Sequence, residues 1–114
     1  MGKSKIPGPI ERRHLIEREL SNAQALRYAE AYLAEGLEGD AIAFLVKAEA
    51  TDQLDALRAR AIEAGDGFLL RAVAMETGTP TKPEEWKALA EGAARAGKEL
   101  YAAEALRQAE RGEI

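Results

Sequence analysis

Glu11 and His14 stand three residues apart, the Glu-x-x-His spacing that sets two metal ligands on one face of a helix. A carboxylate-bridged two-metal centre needs two such pairs and further glutamates, and this chain has one histidine. Arg12, Arg13 and Arg18 would surround the pair with positive charge, so a solvated helix face is its plainer use. A single histidine also leaves no Ser-His-Asp set and no multi-histidine metal site within one chain. The absence of cysteine removes disulfides, thiolate catalysis and cysteine metal sites together. Gly65-Asp66-Gly67 opens like a phosphate loop but lacks the third glycine and a preceding strand, and reads as a turn. Glu84, Glu85 and the other carboxylates fall at helical intervals on polar faces. The expectation is a protein that is not an enzyme, with no cofactor and no metal.

The elements that must carry these residues are helical. The 114 residues are 46% hydrophobic and 32% charged, the balance of a globular domain. Aromatics make up 5%, and alanine fills much of the apolar quota, which suits helix packed closely on helix. No clean alternating stretch of strand length appears. No apolar run approaches the roughly 20 residues of a membrane span. The basic lead (Lys3, Lys5) runs into Pro7-Gly8-Pro9 and not into an apolar signal core, so a cytoplasmic location is expected. Residues 1–20 carry net charge +2 and the remainder −6. An acidic body argues against nucleic acid, which recruits Lys and Arg to its phosphates.

Residues 1–9 read as a flexible lead, and 10–114 as one helical domain. A first helix is expected over about 10–20, with Ile10, Leu15, Ile16 and Leu20 as its apolar contacts. Ser21-Asn22-Ala23-Gln24 has the form of a capping box for a second helix that stops near Gly36. A third helix covers about 39–50, and Thr51 or Asp52 caps a fourth that ends near Gly65. The fifth, about 66–76, is apolar almost all round and is expected to be the most buried element. Thr81-x-x-Glu84 reads as the next capping box, with Pro83 in the first turn of the sixth helix. The sixth and seventh helices, about 82–96 and 98–111, divide at Gly97. Hairpins are thus expected over about 22–50, 52–76 and 82–111.

A plain seven-helix bundle would use glycine merely to end helices. Gly36, Gly65 and Gly97 recur at steps of 29 and 32 residues, within the range of stacked helical hairpins. The third hairpin has Trp86-x-x-Leu89-Ala90-x-x-Ala93, then Gly97, then Ala102-x-x-x-Leu106-x-x-Ala109. The first has Ala25-x-x-Tyr28-Ala29-x-x-Tyr32, then Gly36, then Ala41-x-x-x-Leu45-x-x-Ala48. Both resemble the tetratricopeptide repeat. The middle hairpin keeps Leu54, Leu57, Ala61 and Gly65, but puts Arg58 where a small residue belongs and Leu70 where an alanine does. The 29-residue step is also short of the usual repeat of about 34.

The resemblance implies an all-α, right-handed stack of about three antiparallel hairpins with an extra N-terminal helix. It also implies a concave groove lined by the first helix of each hairpin. That groove would take Leu26, Glu30 and Leu33 from the first, Asp52, Asp55, Ile62 and Glu63 from the second, and Glu84, Lys87, Glu91 and Arg95 from the third. An aliphatic stripe flanked mostly by carboxylates would suit a peptide or protein segment with Leu or Ile anchors beside Lys or Arg. The function expected is a non-catalytic, adaptor-like interaction module, with no nucleic acid and no membrane as partner. The basic, aliphatic residues 3–20 complement the groove: they could cap the stack, occupy the groove, or swap into a second copy and make an oligomer. A self-associating structural protein is the second reading, and a small accessory enzyme subunit using Glu11 and His14 the third.

Overall fold

A computed structural model describes residues 6–111 of the chain. The described residues form seven α-helices and no strand: α1 (Pro9–Glu17), α2 (Asn22–Ala34), α3 (Glu38–Lys47), α4 (Thr51–Ala64), α5 (Gly67–Thr77), α6 (Pro83–Arg95) and α7 (Glu99–Arg111). None is long and apolar enough to cross a membrane. The chain divides into two compact units, Met1–Leu54 and Asp55–Ile114, with the boundary inside α4.

In the first unit α2 packs against α3. The expected capping box starts α2: the Gln24 N–H donates to Ser21 Oγ, and the Ser21 N–H donates to Gln24 Oε1, each at 3.1 Å. The turn to α3 is closed by Gly36 at φ +76°, a left-handed conformation in which a Cβ would be strained. Ala25, Ala29, Ala41, Phe44 and Leu45 are fully buried between the two helices, and Phe44 stacks on Tyr32 at 5.7 Å between ring centroids. α1 is shorter than the expected 10–20. Arg18 is extended, and its carbonyl accepts from Lys47 Nζ at 3.0 Å. The lead expected over 1–9 lies outside the described residues at 1–5, and Pro9 is already the first residue of α1. Leu15 is buried, while the Arg12 guanidinium lies 5.6 Å from the Tyr32 and Phe44 ring centroids and donates to the Asp40 carbonyl at 2.8 Å. The buried Leu15, the stacked Arg12 cation and the Lys47 hydrogen bond to the Arg18 carbonyl thus hold α1 on the α2–α3 hairpin.

α3 ends at Lys47, earlier than expected, and Glu49 occupies the left-handed position at φ +56° that glycine takes elsewhere. α4 begins at Thr51 itself, with the Leu54 N–H donating to the Ala50 carbonyl, so neither Thr51 nor Asp52 is the cap.

In the second unit α6 packs against α7, and the sequence brings α6 onto α4 at small residues. A Cβ on Gly92 would lie 2.5 Å from the Glu63 carbonyl oxygen, and one on Gly65 would run into the Ala93 backbone. α6 starts one residue later than its expected box. Pro83 takes the first helical position, Lys82 the cap, and Glu85, not Glu84, reaches back to the Lys82 N–H at 2.9 Å.

The expectation that α5 is the most buried element is overturned. Leu69, Leu70 and Val73 are buried, but Phe68 and Met75 are open to solvent. The helix has apolar residues on more faces than its neighbours cover. α3, with Ala41, Ile42, Phe44 and Leu45 buried, is packed more completely.

Candidate interaction surfaces

The residues expected to line a groove are placed as follows. In the first unit Leu26 and Leu33 are half-buried on α2, while Glu30 and Asp52 are exposed. A shallow depression of about 510 Å³ on α2 includes Glu30 but is otherwise lined by Gln24, Arg27, Tyr28, Ala31 and Ala34. Neither Leu26 nor Leu33 is among its lining residues.

In the second unit Asp55 and Glu63 on α4 are exposed, as are Glu84, Lys87, Glu91 and Arg95 on α6. Ile62 is half-buried where its carbonyl oxygen meets Gly92. α4 and α6 approach closely at Gly92, and each helix carries exposed carboxylates, with Lys87 and Arg95 also exposed on α6.

Arg58, at a position where the resemblance calls for a small residue, is bound by Glu85. Its Nε donates to Glu85 Oε2 and its Nη2 to Glu85 Oε1, both at 2.9 Å. Its remaining donors reach the carbonyls of Pro80 at 3.2 Å and Thr79 at 3.4 Å. The guanidinium therefore ties α4 to α6 and holds the connecting loop. These hydrogen bonds hold the Glu85 carboxyl below the usual carboxylate range, assisted by the Lys82 N–H and opposed by burial. The same pair raises Arg58.

A second surface was not legible as a site. α5 and α7 flank a groove floored by Trp86, which is itself 6% exposed. Arg71 crosses this groove: its guanidinium carbon lies 5.1 Å from the Trp86 ring centroid, and its Nη2 lies 3.9 Å from Glu104 Oε2. A pocket of about 430 Å³ lies beside Met75, Pro80 and Gln108, and one of about 130 Å³ beside Phe68 and Tyr101. Hydrogen bonds from Gln108, then Arg107, lower the Glu104 carboxyl. The available signal was the excess of apolar residues around α5. Leu106, placed by the repeat pattern between hairpins, is exposed on α7.

Glu11 and His14 are exposed on α1, and Arg12 between them is turned onto the aromatic rings. Among the described residues no three His, Asp or Glu side chains are grouped as a metal ion would need. No protein-family model matches the chain, and comparison with curated proteins and with solved structures finds no match.

Proposed function

We propose that the chain is a tetratricopeptide-like stack of three hairpins that acts as a non-catalytic interaction module, taking a basic, aliphatic peptide segment on its acidic surface. The observation that carries this reading is the α4–α6 pair. Its helices approach to backbone contact at Gly92, Asp55, Glu63, Glu84 and Glu91 are exposed on the two helices, and Ile62 is half-buried. Carboxylates around an aliphatic patch select Lys or Arg next to Leu or Ile, with the charges setting orientation and on-rate more than affinity. α1 is held on its own hairpin by Leu15 and Arg12, which favours the capping role for that segment.

Selection from a random peptide library tests the reading. Sequences alternating Leu or Ile with Lys or Arg should be enriched, bind more weakly as salt rises, and be lost by Glu84→Lys/Glu91→Lys with helix content unchanged. Enrichment of acidic peptides, or none, would remove the proposal.

A further inference from the structure

The acidic surface leaves the most exposed apolar side chains of the second unit without a use. Phe68 is 77% exposed, Met75 81%, Leu100 85% and Tyr101 56%. Phe68 and Met75 are seven residues apart, two helical turns, so they share the outer side of α5. Tyr101 on α7 borders the same small pocket as Phe68, which joins the two helices into one face over Trp86. At these exposures Phe68, Met75 and Tyr101 offer roughly 400 Å² of largely apolar surface, a sizeable patch for a monomer. A stable complex hides about 800 Å² on each partner, so a contact centred on these side chains must also cover polar residues around them.

The rim decides which partner fits. Arg71 and Glu104 line the groove and pair across it at 3.9 Å, so the face carries both signs in balance. A two-fold contact sets a patch against itself, and a patch of one sign then repels its copy. The acidic α4–α6 surface would do so; the α5–α7 face does not. A membrane surface or nucleic acid would call for a basic rim, which is absent from this face.

We propose that the α5–α7 face is the contact for a second copy of the chain, in an isologous dimer centred on Phe68, Met75 and Tyr101. Docking closes the groove over Trp86 and covers the Arg71–Glu104 pair. The acidic surface stays outside the contact, so this dimer and the peptide-binding reading stand or fall separately.

Sedimentation equilibrium from about 5 to 500 µM, a span that detects weak as well as tight pairing, should show the mass rising to twice the chain mass. Phe68→Lys/Met75→Lys alters only side chains that already meet solvent, and should hold the mass at one chain with helix content unchanged. Glu84→Lys/Glu91→Lys should leave dimerisation intact while abolishing peptide binding. Because the chain has no cysteine, Ala72→Cys on the outer side of α5 takes a single spin label. That label should show dipolar coupling to its twin at high concentration and none on dilution, which decides the question even if the lysine variant fails to fold. A wild type that stays monomeric at the highest concentration overturns the proposal, and would leave the face to a partner of different sequence. A dimer without coupling at position 72 overturns the assignment of the face.

Discussion

Glu85 gives the long cation of Arg58 a partner at a position where the sequence led us to expect a small residue. Neither side chain is more than a quarter exposed, so the pair works in a medium less polar than water. The carboxyl of Glu85 is held below its ordinary value of 4.5 by the Arg58 hydrogen bonds first, and by the Lys82 N–H. A depressed folded-state pKa contributes stability that is present above the unfolded pKa and lost as pH falls through the folded one. Wild-type melting temperature should therefore drop on acidification below about pH 4.5, and Glu85→Gln, with no proton to gain, should show a shallower drop. Parallel acid profiles for the two proteins would show that the pair is not the acid-sensitive element. The sequence marked Arg58 as a departure. It did not show its partner, because Glu85 lies 27 residues away and chain pattern carries no information on which distant carboxylate a cation meets.

Helix ends were the most legible elements, for a local reason. Gly36, Gly65 and Gly97 were expected to stop helices, and all three sit at positive φ. Ser21 was expected to cap, and does so through both halves of its box. Where the left-handed residue is not glycine the signal fails: α3 was extended to about residue 50 because Glu49 gives no sign of φ +56°. Left-handed backbone costs a residue with a Cβ about 1 kcal/mol or slightly more. Glu49→Gly should relieve that, offset in part by the freer unfolded chain, for a net gain of about 0.5 kcal/mol in denaturant titration. The reverse experiment belongs at Gly92. Alanine there would improve helix propensity by about 1 kcal/mol in an isolated helix. Here its Cβ would lie 2.5 Å from the Glu63 carbonyl oxygen and 2.6 Å from that of Ile62, both backbone atoms. Forcing α4 from α6 should lower stability by about 1–3 kcal/mol, read as an earlier urea midpoint. A neutral Gly92→Ala would mean that the helices separate at no cost.

At the scale of the whole chain, the all-helical class was readable from alanine content and period, while burial was legible only in part. Periodicity reports which faces are apolar; it does not report which of them a neighbour covers. For α3 the two coincide, whereas for α5 they do not: the helix was expected to be the most buried, and its Phe68 and Met75 are open to solvent. Asp55, Glu63, Glu84 and Glu91 are exposed, as charge at helical spacing suggests, but Glu85, expected on a polar face, is half-buried against Arg58. The division at Leu54 and Asp55 falls inside a continuous helix and left no mark in composition. It has a measurable counterpart. Ala41 is fully buried in the first unit, and Ala41→Glu puts an unpaired carboxylate there. Amide exchange should accelerate across α2 and α3 by orders of magnitude while α6 and α7 keep most of their protection. Equal acceleration everywhere would show that the two units unfold as one.

The exposed thioether of Met75 also makes the chain a recorder of its own surroundings. The sequence has two methionines, Met1 and Met75, and the second stands 81% open on α5. Peroxide converts an accessible thioether to the sulfoxide, a polar group that apolar contacts reject. A face left bare should therefore oxidise quickly, and once oxidised should resist burial. Mass spectrometry of the Met75 peptide, taken before and after a brief peroxide pulse, would read how much of the protein has that face covered in its native setting. It would do so without a label or a substitution, and reductase treatment would return the surface to its starting state.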